Sequence, residues 1–402
     1  MSFSMSSALT EPVDLKAVNR RIFSAVAFTF VTYLSIGVPL AVLPGYVHNH
    51  LGFSNLTAGI VISIHYFFTL LSRPHAGRYA DLLGPKKVVM IGMTCCGLSG
   101  VFYLFSTWTD ASPWLSLGVL CLGRAVLGVG ESFGSTGSTL WGIGDVGSEH
   151  TARVISWNGV STYSAMAIGA PIGVWIYQHA GLWGVGLLLI VAAAIALFFS
   201  FKKAAVSVRT GKRISFAAVV GRIWMFGLGL GLGTIGFGVI ATYITVFFAD
   251  HHWSGAAFSL TLFSVAFAGM RLVFPNAINR HGGLRVSMYS FVFEIIGLLL
   301  IWWAVNPVVV DIAAFMTGAG FSLVFPALGV EAVQRVESQN QGTALGTYSA
   351  FLDLGLGITG PLAGLLITRA GIDSIYLAAA VVVFAALLLT SRLLMLQHRR
   401  FA

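Results

Sequence analysis

The residues able to do chemistry in this chain are few, and most lie inside long apolar runs. Arg124, Glu131, Glu294 and Asp353 are ionisable groups within such runs, and His65 joins them on another, beside Tyr66. A charge at the centre of a bilayer costs roughly 2.5–3.5 kcal/mol on insertion scales, so each group is expected to face a partner or water. Glu131 follows Arg124 by seven residues, two turns along one helical face and about 10 Å along the axis. A carboxylate so placed can load and unload a proton while a cation sets how tightly the proton is held, as proton coupling requires. Two other readings stand beside this one: a static buried ion pair, and an Arg124 that bonds a backbone carbonyl or another helix. Asp353 either faces a cavity as a second proton or substrate site or bonds a neighbouring helix. His65 titrates near neutral pH and reads either as a cavity residue or as a structural histidine.

Membrane helices have to position these groups. Of 402 residues, 57% are hydrophobic and 9% charged, against about a quarter charged in soluble domains. The apolar runs reach the roughly 20 residues of a bilayer-spanning helix, and they lack the alternation of barrel strands. The chain is expected to be an all-α membrane protein with about twelve transmembrane helices, near 22–47, 55–80, 87–107, 113–140, 152–178, 182–201, 219–249, 256–279, 284–305, 308–330, 342–369 and 373–396. The net charge of +9 forms no stripe for nucleic acid. Lys86, Lys87, Arg153, Lys202, Lys203, Arg209, Lys212, Arg213, Arg222, Arg280, Arg285 and Arg335 fall in one set of turns, with Lys16, Arg20, Arg21, Arg399 and Arg400 at the chain ends. The opposite turns hold only Arg369, so both termini are expected to be cytoplasmic. The polar first 21 residues lead straight into a full-length span rather than a cleavable signal. Cys95, Cys96 and Cys121 lie in apolar spans and suggest neither a disulfide framework nor a metal spacing.

The turn Gly77 to Lys87 is punctuated by Gly84 and Pro85, and a degenerate copy lies 198 residues later, with Arg271 matching Arg73, Asn279 matching Asp81 and Gly282 matching Gly84. At an offset of 190, Gly128, Gly130, Ser132 and Pro171 match Gly318, Gly320, Ser322 and Pro361. The matched elements keep their order, which predicts two six-helix bundles in a parallel pseudo-two-fold repeat with a cavity between them. The expected division is an N-terminal bundle over 1–201, a basic linker over 202–218 and a C-terminal bundle over 219–402.

The chain resembles the major facilitator superfamily. Gly77, Asp81, Gly84, Lys86 and Lys87 fit its signature Gly-x-x-x-Asp-Arg-x-Gly-Arg-Lys, while Leu82 and Pro85 depart from it; Arg124 and Gly128 fit a second signature in span four. Pro39 and Pro44, and Gly360-Pro361-Leu362-Ala363-Gly364, look like the drug/proton antiporter branch, and the whole looks most like bacterial arabinose-efflux-like permeases. The resemblance implies a secondary active transporter of the bacterial inner membrane, proton-coupled, exporting small organic solutes by alternating access, with one chain sufficing. Import of sugars or organic acids is the alternative. No phosphate loop, nucleophile–base pair or cofactor motif points to an enzyme or an ATP-driven machine.

In this fold spans one and seven line the cavity, which implies Tyr33 and Tyr243 there, with Asn158 and Tyr163 from span five. Spans three, six, nine and twelve lie outside it, which implies a structural role for Glu294. Trp141 and Trp157 bracket the turn between spans four and five, where they either help to hold an amphipathic or sugar-like solute or anchor at the interface, and anchoring is the expected role of Trp302 and Trp303. Arg73 and Arg271 are expected to snorkel to the cytoplasmic face. Asp81 is expected to meet the positive N-terminal end of span eleven near Gly342 and lock the cytoplasmic side, with Lys86 or Lys87 pairing with Asp145 or Glu149.

Overall fold

The computed structural model describes residues 15–40, 42–206 and 214–398; Arg209, Lys212, Arg213, Arg399 and Arg400 lie outside them. The long apolar runs close into helices because a helix satisfies all of its backbone polar groups internally, as a lipid environment demands. They are α1 (Leu15–Leu40), α2 (Asn55–Leu83), α3 (Pro85–Trp108), α4 (Pro113–Val146), α5 (Thr151–Lys202), α6 (Phe216–Asp250), α7 (Ala256–Val273), α8 (Gly283–Trp302), α9 (Pro307–Ser322), α10 (Val324–Gln334), α11 (Gln341–Ala370) and α12 (Ser374–His398). Proline at the first helical turn starts α3, α4 and α9, where its missing N–H is harmless. Side-chain caps start others: Ser54 accepts from the Thr57 amide and Ser215 from the Ala218 amide.

Twelve crossings result. Among the described residues nine helical stretches are long and apolar enough to span a membrane, and Phe258–Val273 is a shorter one. The 29-residue α2 adds another. Gly181, at φ 63°, breaks α5 into two arms. Both ends of α5 meet the end of α4: Thr151 follows it closely in sequence, and Lys203 pairs with Asp145 at 2.8 Å. α5 therefore crosses twice. α9 and α10 form one crossing interrupted at Leu323. The eighth expected span is shorter than its apolar run, since α7 stops at Val273 and a separate helix, Ala277–His281, follows.

The largest buried apolar cluster runs from Val219 to Leu393 and belongs to the last six crossings. The first six bury smaller clusters, one of them around Val38, Tyr103 and Val185. Apolar side chains such as Trp114, Phe201, Val273 and Trp303 stand exposed around the bundle, at 77%, 64%, 68% and 79%, as lipid-facing positions should. The two halves meet toward the end of the bundle that carries the basic turns and the chain ends, here called the basic end.

Candidate functional site

α2 and α4 lie against each other and run in the same direction. Gly128 permits the approach, because a Cβ there would overlap the His65 carbonyl. Ser132 donates to the Thr69 carbonyl at 2.8 Å and ties the pair together. Just before Ser132, Glu131 is enclosed by donors from α2: His65 Nε2 at 2.8 Å, Thr69 Oγ1 at 3.0 Å and Arg73 Nη2 at 3.1 Å. Arg73 also reaches into the other half, donating from Nε to Asp353 on α11 at 2.7 Å. Glu131 and Arg73 are each 4% exposed, and the Asp353 side chain 8%. The cluster thus holds one cation between two carboxylates, one from each half, with His65 behind.

Several expectations change here. Arg124 does not meet Glu131. Because α2 and α4 run in step, residues two turns apart on α4 meet residues about two turns apart on α2. Arg124 accordingly reaches the Ile62 carbonyl at 3.4 Å, and its Nε and Nη1 find no partner. The backbone-carbonyl reading is the one that fits. Arg73 and Arg271 do not snorkel; both are 4% exposed and turned inward. Tyr243 donates to the Gly360 carbonyl at 2.7 Å and joins α6 to α11 rather than lining the central cavity. Trp141 is no interfacial anchor: it is fully buried, stacks on Phe28 at 5.4 Å and donates to the Ala204 carbonyl. Glu294 is fully buried, with neither carboxylate oxygen hydrogen-bonded.

Between the halves lies a cavity with about 80 Å³ of room for water centres, lined by Tyr33, Arg73, Asn158, Tyr163, Arg271 and Phe321 among others. Of the residues named from the sequence, Tyr33, Asn158 and Tyr163 are among those lining it. Asn158 also accepts from Thr29 Oγ1 at 2.5 Å, so its carbonyl oxygen is held by α1. Arg271 is a cavity residue that the sequence reading placed elsewhere. It donates to the Ser322 carbonyl at 3.1 Å and, across the halves, to the Ser156 carbonyl at 3.3 Å, and its guanidinium lies 4.6 Å from the Phe267 ring centre.

The repeat is visible in bonds. Ser322 donates to the Phe267 carbonyl as Ser132 does to that of Thr69, and Gly318 abuts the Phe263 carbonyl as Gly128 abuts that of His65. The same offsets place Phe263, Phe267 and Phe321 where the first half has His65, Thr69 and Glu131, and Tyr163 where the second half has Asp353. The offset had already paired Arg271 with Arg73 in the sequence; applied to their neighbours as well, the two offsets would have shown rings around Arg271 where Arg73 has acids.

At the basic end Gly84, at φ 87°, ends α2, and its match Gly282 adopts φ 80°. Both positions need a residue that tolerates positive φ. Asp81 accepts from the Gly342 and Thr343 amides, each at 2.8 Å, and from Thr343 Oγ1 at 2.7 Å. A carboxylate on the first amides of a 30-residue helix satisfies unpaired donors and meets the positive end of the helix dipole. Gly77 faces Gly342 so closely that a Cβ on either would overlap the other's carbonyl. Lys86 pairs with neither Asp145 nor Glu149: it donates to the Phe201 and Lys203 carbonyls at 2.9 and 2.8 Å, and Lys203 takes Asp145. Lys87 is exposed.

Among the described residues no group of three or more His, Cys, Asp or Glu converges as a metal would need. The family model described as Major Facilitator Superfamily matches residues 25–329 and 226–400. A relative from Escherichia coli strain K12, an uncharacterized MFS-type transporter named YhhS, is 58% identical over 390 residues, 96% of each chain. Among solved structures, a bacterial homologue of the iron transporter ferroportin in an outward-facing state aligns with a TM-score of 0.77 at 17% identity, covering 93% of this chain and 99% of that one. The Escherichia coli fucose:proton symporter aligns with a TM-score of 0.74 at 15% identity, covering 93% and 98%. With the two-bundle fold, this family match and this near relative, the chain belongs to the major facilitator superfamily and is a transporter, not an enzyme.

Proposed function

We propose that the chain is a proton-coupled secondary transporter that exports small organic solutes by alternating access, and that Glu131 and Asp353 carry the coupling proton. The observation that supports this most directly is the clamp on Arg73, which takes one carboxylate from each half. Protonating either carboxylate removes one of the two ion pairs that Arg73 makes, and protonating Asp353 removes the one that joins the halves. A proton arriving from the far side would weaken closure at the basic end and let the cavity open there. His65, on the Glu131 carboxylate, is the relay through which a proton reaches it. Asp81 on the start of α11 is the second element of the same closure, and Gly77, Gly84, Lys86 and Lys87 shape the turn that presents it.

The basic end is cytoplasmic in this reading, because the positive-inside rule puts Lys and Arg turns there, and the membrane is the bacterial inner membrane. The N-terminal bundle ends near residue 201 and the C-terminal bundle begins near 219, joined by the basic stretch between. One chain supplies both halves of the pathway. Pro39, Pro44 and the Gly360–Gly364 run support export, as the antiporter branch carries similar patterns.

The test needs no cargo. Spin labels at Leu83→Cys and Ser338→Cys, with Cys95, Cys96 and Cys121 replaced, report the separation of the halves at the basic end. Acidification is expected to shift the population toward the longer distance, and the Glu131→Gln, Asp353→Asn double variant is expected to lose that response. A double variant that still responds to pH as the parent does removes both carboxylates from the role.

A further inference from the structure

Arg271 lines the central cavity, and among the described residues no anion stands beside it. It is 4% exposed, and its guanidinium is held by two backbone carbonyls and the face of Phe267. Carbonyls and ring faces offer partial charge only, so the full positive charge stays uncompensated. Arg124 is also held by a carbonyl, but it lies away from the cavity walls. Arg73, the repeat partner of Arg271, lines the cavity and has two carboxylates. Around Arg271 the equivalent positions are Phe321 and Tyr163, both lining the same cavity. Phe267 packs edge-on against Tyr163 at 4.6 Å and near Phe321 at 6.1 Å. Gly159 leaves the space the guanidinium fills, since a Cβ there would overlap Nη1. A buried cation in an aromatic cage, open to the cavity, is a site built for a negative head on an apolar body.

We propose that the cargo is a small amphipathic organic anion, whose carboxylate or equivalent acid group docks on Arg271 while its apolar body packs against Phe267, Phe321 and Phe325. The inference rests on the cavity being the transport path, but not on the coupling ion. Arg271 also donates to Ser156 of the opposite half. An anion that takes the guanidinium competes with that bond, so cargo binding bears on the contact between the halves.

The experiment is calorimetric titration of the purified full-length protein in a buffer of weakly competing anions. The probes are benzoate and phenylacetate, their neutral amides, the amines benzylamine and phenethylamine, and inorganic sulfate. The acids are expected to bind, and the amides and amines to bind more weakly by about tenfold or more, the worth of a hydrogen-bonded charge. Arg271→Gln is expected to lower affinity for the acids by about tenfold or more, and Arg271→Lys to keep part of it. Gly159→Ala, which displaces the guanidinium without removing its charge, is expected to weaken the acids as well. Size-exclusion profile and thermal midpoint check that each variant is folded. The Glu131→Gln, Asp353→Asn double variant shifts the conformational equilibrium for every ligand alike and is expected to keep the preference for acids over amides, so a preference lost only in Arg271 variants separates cargo recognition from coupling. The proposal is overturned by acids that fail to bind the parent, by amides or amines that bind as tightly as acids, by sulfate that matches benzoate, or by Arg271→Gln retaining parental affinity.

Discussion

Arg73 and Arg271 occupy equivalent places in the two halves, yet their surroundings are opposites. Around Arg73 stand Glu131, Asp353, His65 and Thr69; around Arg271 stand Phe321, Tyr163, Phe263 and Phe267. Each position of the first set maps onto one of the second through the internal repeat. Duplication supplied two copies of one frame, with the same serine bond and the same glycine contact between neighbouring helices. Divergence then placed the acids around one arginine and the aromatics around the other. A neutralised cation can change state with one proton, whereas an uncompensated one waits for an anion from outside. An anionic cargo also makes export electrically downhill, by about 2.3 kcal/mol per charge for each 100 mV of negative interior potential.

The sharpest way to break this comparison is to remove each arginine in turn. Arg73→Gln leaves Glu131 and Asp353 facing each other in a buried site, and loss of one member of such a cluster costs about 3–5 kcal/mol. The variant is expected to lose most of its thermal stability margin and its transport. Adding Glu131→Gln and Asp353→Asn should restore the stability but not the proton response. Arg271→Gln leaves behind only two carbonyls and a ring face, so its thermal midpoint is expected to stay near that of the parent. Should Arg271→Gln unfold as readily as Arg73→Gln, the second arginine is part of the scaffold and the contrast fails.

The contact at the basic end shows the same asymmetry at smaller scale. Asp81 takes three donors at the start of α11, while its match Asn279 is exposed. Asp81→Asn keeps the shape but loses the charge. Hydrogen bonds to charged groups contribute roughly 1.5–3 kcal/mol. That is a shift of about ten- to a hundredfold in the closed-to-open ratio at the basic end, readable from the spin-label distances between positions 83 and 338. Asn279→Gln should leave those distances unchanged. A closed population that survives Asp81→Asn intact would mean that the glycine contact of Gly77 with Gly342, and not the charge, holds this end together.

The fold was legible because it rests on long-range regularities: apolar run length, basic turns on one side and an offset that recurs. The contact of Asp81 with the start of α11 was legible for a related reason, since an aspartate and a helix start are both local features. Partnerships between helices were less so. Spacing placed Arg124 and Glu131 on one face, but helical rise also keeps them about 10 Å apart, and the in-step packing of α2 and α4 gave each a different neighbour. Arg73 looked like a snorkelling residue because it lies eight residues before Asp81. Eight residues are about 12 Å of helix, enough to carry it into the middle of the bundle, where Asp353 of the other half stands. Such a contact depends on how the halves dock, and neither half's sequence encodes it alone.

The smallest expected effect is the most discriminating for the mirrored sites. Tyr163 stands where the repeat puts Asp353 in the other half, lines the cavity and packs edge-on against Phe267 beside Arg271. Its hydroxyl can add one neutral hydrogen bond to an anion already held by Arg271. Such a bond contributes about 0.5–1.5 kcal/mol net, so Tyr163→Phe is expected to weaken benzoate binding by about three- to tenfold in the titration. The ring remains, the aromatic cage keeps its shape, and no charge changes. The pH response at the basic end should therefore be that of the parent, whereas Asp353→Asn at the mirrored position should blunt it and leave the preference for benzoate over benzamide intact. If Tyr163→Phe blunted the pH response, or Asp353→Asn erased that preference, coupling and cargo recognition would share one network, and the two arginines would belong to a single site rather than to two that the repeat has driven apart.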